Sequence, residues 1–123
     1  MQRRTLVRGI AAIVTLAGAF AGRSVAADIQ VGGSFEVKAN SIWFEDAPKL
    51  ARWQMLKTGG NAKALKAYQQ KALSERDAWQ FINPLRVKIL SYERAKHQVK
   101  VEMTTPGRLL GSTWFLDDSA LEQ

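Results

Sequence analysis

The apolar pattern of this chain changes its period near Ser74, and that change limits the fold more than any other feature. From Leu50 to Ser74 apolar residues recur at helical intervals; beyond it, they alternate with charged ones. Leu50, Trp53 and Leu56 recur every third residue and so share one helix face. Asp46, two residues ahead of Pro48, marks the helix start: its carboxylate accepts free amide hydrogens of the first turn, where proline fits without losing a bond. Gly59-Gly60 supplies the stop, and Asn61 caps a second helix. In that helix Ala64, Leu65, Tyr68 and Ala72 lie within a sector of about 100 degrees, with Lys63, Lys66 and Gln70 opposite. The spacing predicts a helical hairpin over about 46–74.

Strands flank this hairpin. Phe35, Val37 and Ala39 alternate with Glu36 and Lys38, and Ser41 to Glu45 is apolar and aromatic. After the hairpin come Trp79, Phe81, Leu85, Val87 and Ile89, the last three alternating with Arg86 and Lys88. Val99, Val101 and Met103 alternate with Lys100 and Glu102, and the polar stretch from Glu93 to Gln98 suits a hairpin connection. Pro106-Gly107 and Gly111 punctuate a loop before a short last strand over 112–116, and Asp117-Asp118 is placed to cap a final turn.

Residues 1–26 stand apart from this pattern. Arg3, Arg4 and Arg8 precede an apolar stretch from Gly9 to Ala21, and Ser24-Val25-Ala26 ends in the small-x-small pattern of a cleaved secretory signal. The expected cleavage follows Ala26, or alternatively Ala27. A membrane span needs about 20 apolar residues, and Arg23 interrupts too soon. Arg3-Arg4-Thr5-Leu6-Val7-Arg8 also resembles a twin-arginine signal, so both export routes stay open. The expectation is a periplasmic or secreted protein with no stable membrane insertion after cleavage. Removing this segment takes four of the 18 basic residues and none of the 11 acids, lowering the net charge from +7 to +3.

A chain of 123 residues with no cysteine and one histidine has lost most familiar chemistries. Disulfides, thiolate nucleophiles and sulfur-based metal sites are excluded, so stability rests on packing. The adjacent acids Glu45-Asp46 and Asp117-Asp118 fall where a cap or turn explains them, and His97 falls in a loop with no serine or cysteine nearby in sequence. Gly32-Gly33 and Gly59-Gly60 lack phosphate-loop spacing and read as turns. No catalytic residue, cofactor or metal is expected; a carboxylate-based hydrolase is the weaker alternative.

Taken together, the strand Leu85 to Leu90, the hairpin, the strand Gln98 to Met103, the glycine-bearing loop and the Gly111/Trp114 pair resemble bacterial SH3-like domains. Leu50, Trp53, Gly60, Asn61, Ala64 and Leu65 are similar to the helical hairpin of an exported variant of that family. The resemblance covers residues 37–121. The chain departs from it in two ways: the family's two frequent cysteines are absent, and Thr113 stands in place of the glycine before the tryptophan. It implies a fold that is mainly β with an α insertion: one SH3-like half-open β-barrel over 27–123, carrying the two-helix hairpin after the first strand.

Binding is the function this reading favours. Residues 47–80 carry seven basic residues against two acids, so the hairpin is basic. Arg52, Lys63 and Lys66 are its candidate contacts for an anionic partner. Trp43 and Phe44 are neighbours and cannot share one side of a strand, and Tyr92 has the parity of Arg86 and Lys88. These three form the expected aromatic contact patch, since by resemblance SH3-like barrels bind through aromatic grooves. The expected partners are an envelope protein or peptidoglycan, not nucleic acid. The alternative is an accessory, assembly or inhibitory subunit of one larger periplasmic or secreted complex.

Overall fold

The computed structural model describes residues 29–121; the leader, its cleavage positions and the last two residues lie outside them. Among these residues six strands form one antiparallel sheet: β1 (Ser34–Val37), β2 (Ile42–Phe44), β3 (Ala78–Gln80), β4 (Leu85–Glu93), β5 (Gln98–Met103) and β6 (Thr113–Asp117). Helices α1 (Ala47–Thr58) and α2 (Ala62–Ser74) separate β2 from β3. The fold is therefore mainly β with an α insertion, as its periodicity requires. The hairpin follows the second strand, not the first: Asn40, at φ 67°, turns the chain after β1, so Ile42–Phe44 begins a new strand.

The helix ends are built as their residues dictate. Asp46 Oδ1 accepts the Lys49 amide at 2.9 Å and Asn61 Oδ1 accepts that of Ala64 at 2.9 Å. Gly60 takes φ 76°, a conformation that side chains resist, so the second glycine of the pair makes the turn. Trp53 Nε1 donates to Gln69 Oε1 at 3.1 Å and the Tyr68 hydroxyl to the Lys49 carbonyl at 3.2 Å, tying the two helices together.

The strand order is β1-β4-β5-β6-β2-β3. β1 and β2 thus lie four places apart, as do β3 and β4, yet four residues join each pair. In a flat sheet four places span about 19 Å. The five steps from Val37 to Ile42, or from Gln80 to Leu85, reach about 17–18 Å at most. The sheet therefore curls strongly on itself. Among the described residues its end strands, β1 and β3, share no ladder, so the sheet is not closed.

Curling lets one face bury itself. Val37, Trp43, Val87, Ile89, Val99, Val101, Met103, Trp114 and Leu116 form the main core, capped by Ala120 and Leu121 of the C-terminal 3-10 turn. The Lys38 amide, donating to the Ala120 carbonyl at 3.0 Å, fixes that turn to β1. On the opposite face Ile42, Phe44 and Ala78 meet Leu50 of α1 and Ala72 of α2 in a second, smaller cluster. β2 feeds both, which is why all three of its residues are buried.

Candidate ligand groove

The expected aromatic patch does not exist as a surface. Trp43 is 1% exposed and Phe44 0%, because β2 is an inner strand with the main core on one face and the helices on the other. Their opposite orientations are correct, but both directions lead inward. Tyr92 fails for a different reason. A bulge in β4 between Ile89 and Ser91 adds one residue, so Tyr92 pairs with buried Val99 and turns to the core side. Its hydroxyl donates to Asp118 Oδ2 at 2.8 Å; burial, with that bond second, pushes its pKa up to about 12. Arg52 on α1 and Lys63 and Lys66 on α2 are exposed, but among the described residues no large exposed hydrophobic residue is aromatic.

An apolar groove lies instead at the mouth of the curled sheet. Trp79 of β3, Phe81 in the following connection, Leu85 at the start of β4 and Met103 at the end of β5 form its floor and one wall. Residues 105–109 of the β5–β6 loop form the other, enclosing about 440 Å³. Edge-on packing fixes the aromatic wall: Phe81 lies 5.3 Å from Trp43 and 6.3 Å from Trp114, and Trp79 lies 6.3 Å from Trp114. The indole N–H of Trp79 is buried without an acceptor, a cost of about 1–3 kcal/mol at the groove wall.

The loop is held rather than loose. Thr105 Oγ1 accepts the Arg86 amide at 2.7 Å and donates to the Arg86 carbonyl at 3.2 Å. The Gly111 amide donates to the Met103 carbonyl at 2.9 Å, and Ser112 Oγ both donates to the Leu109 carbonyl and accepts from Trp114 Nε1. Gly107 at φ 142° and Gly111 at φ 87° make the bends that return the chain to β6. Ile82 and Leu110, 79% and 60% exposed, extend apolar surface along the connections on either side. Trp79, on the end strand β3, is half-buried and packs against the main core. One signal for the groove was present in sequence: a Leu109-Leu110 pair inside a proline- and glycine-bearing loop, where polar residues are the rule.

A second, polar cleft joins α1 to the β4–β5 turn. His97, at φ 55°, places Nδ1 2.9 Å from Asp118 Oδ2, the oxygen that also accepts from Tyr92. That bond raises the His97 pKa above its ordinary value of 6.5. Gln54 Nε2 bridges the His97 carbonyl at 3.1 Å and Asp117 Oδ1 at 2.6 Å, while buried Gln98 donates to Gln54 Oε1. Asp118, 21 residues away, is an orienting partner for His97 that neighbouring residues do not disclose. The nearby Thr58 hydroxyl is already donated to the Gln54 and Met55 carbonyls, so His97 has no free hydroxyl there to activate. The polar cleft clamps α1 to the sheet.

Among the described residues no three His, Asp or Glu side chains converge as a metal site, and no helix is long and apolar enough to cross a membrane. No protein-family model, curated protein or solved structure matches the chain.

Proposed function

We propose that this protein is an exported, non-catalytic binding module, SH3-like in architecture, which recognises a segment of an envelope protein. The observation that supports this reading most is the apolar groove between Trp79, Phe81 and Leu109, set at the mouth of a curled sheet and walled by a hydrogen-bonded loop. A preformed concave apolar site with few polar groups suits an inserted side chain. A polyhydroxylated glycan gains less there, so a protein segment is favoured over peptidoglycan. The exposed cations Arg52, Lys63 and Lys66 lie on the helical hairpin and strengthen attraction to an anionic envelope partner over longer range.

A second reading, an accessory subunit of one larger complex, draws on exposed Ile82 and Leu110, which follow groove-lining Phe81 and Leu109 in sequence and add apolar surface. Peptide display against the purified protein tests the first reading. Selected peptides are expected to bind at least about tenfold more weakly to Leu109→Asn and Leu110→Asp variants that keep the wild-type circular dichroism. Failure to select any groove-dependent peptide, together with cosedimentation on purified peptidoglycan, would remove the protein-segment reading. N-terminal sequencing of protein recovered from the periplasm tests export: a start at Ala27 or Asp28 is expected, and a retained Met1 would refute the leader.

A further inference from the structure

Resting on the groove as the binding site, we infer that its occupant is an extended acidic segment: one apolar side chain enters the groove and aspartate or glutamate residues flank it. The charge distribution carries this. Arg108 is the one charged residue among those lining the groove, and Arg76 sets its guanidinium carbon 5.9 Å from the centre of the Trp79 ring. Both are exposed, and neither belongs to an ion pair among the described residues.

Two acids near the groove in sequence face lysines. Asp77, just before β3, lies 4.0 Å from Lys49 Nζ, which Asp46 also holds at 2.8 Å, and Glu102, just before the loop, is the register partner of Lys88 on β4; exposed Glu75, before Arg76, is not among the lining residues. The groove therefore has an apolar floor and cations at its rim with no acid among its lining residues. An apolar anchor between carboxylates complements it; an anchor between lysines is repelled. The extended form follows from the wall's place in the sheet. Among the described residues β3 pairs with β2 alone and ends the strand order, a position that suits strand addition by an extended segment.

Three short synthetic peptides, each with a central phenylalanine flanked on both sides by aspartate, serine or lysine, test this by fluorescence titration of the purified protein. The aspartate peptide is expected to bind about fivefold to tenfold more tightly than the serine peptide at low salt, the gap closing at about 0.5 M salt. Arg108→Glu and Arg76→Glu are expected to reverse the order in favour of the lysine peptide, with thermal melts verifying that both variants fold. Equal binding of all three peptides, lost in Leu109→Asn, would overturn the acidic preference while leaving the groove reading intact. No binding by any of them, or cosedimentation with peptidoglycan that depends on the groove, would overturn both.

Discussion

Trp43 and Trp79 face each other across one ladder, yet the first is sealed and the second opens onto a groove. Both occupy aromatic positions on three-residue strands, and both rings belong to the cluster around Trp114. Their fates differ because β2 has a neighbour on each side and a core on each face, whereas β3 is an edge. Availability to a ligand is a property of the strand's place in the sheet, not of the aromatic residue or its immediate neighbours. The same contrast separates the apolar groove, open at the sheet's mouth, from the polar cleft, which the Gln54 and His97 contacts use to hold α1.

The largest effect should come from the sealed member of the pair. Trp43→Ala is expected to cost about 3–5 kcal/mol in urea unfolding, as is Trp114→Ala, because each ring leaves a cavity in the main core. Trp79→Ala should cost less, about 1–2 kcal/mol, and instead weaken groove-bound peptide. Equal costs for Trp43 and Trp79 would break the comparison. On the helix-backed side, Leu50→Ala should cost about 2–4 kcal/mol, while Asn61→Ala, which removes only the cap of α2, should cost about 1 kcal/mol.

The smallest effects are pH-dependent and belong to the clamp. The folded state raises the His97 pKa above 6.5, so its contribution to stability is complete below that pH and is lost as pH rises through the folded pKa. Tyr92 also binds its proton more tightly when folded; its contribution holds below pH 10 and disappears between pH 10 and about 12. Urea midpoints followed across pH should lose the first inflection in His97→Gln and the second in Tyr92→Phe. Peptide binding at the groove should keep its pH profile in His97→Gln, and a shift there would show that clamp and groove are coupled.

Much of the fold is legible in the sequence, for reasons tied to particular residues. Asp46, Pro48, Gly60 and Asn61 act within three or four residues, so α1 begins and ends, and α2 begins, where those residues stand. Val87, Ile89, Val99 and Val101 alternate, and all four are fully buried. The candidate site was far less legible. One inserted residue in β4 reversed the side on which Tyr92 projects, and nothing in the composition of Ile89-Leu90-Ser91 announces that bulge. Trp43 and Phe44 project to opposite sides as expected, but covering the second side required helices that return over it.

Sequence alone therefore determined what is local: the two helices with their caps, the alternating strands, the glycine turns and the basic character of the hairpin. Torsion preferences and side-chain periods act within a few residues and need no partner from elsewhere in the chain. Tertiary structure alone decided the strand order, the curl that two four-residue connections impose, and hence which aromatic rings are sealed. It also joined His97 to Asp118 and brought Trp79 opposite Leu109. Exposure and pairing depend on what lies across the fold, and that is set by the competition of the whole chain to bury its apolar surface.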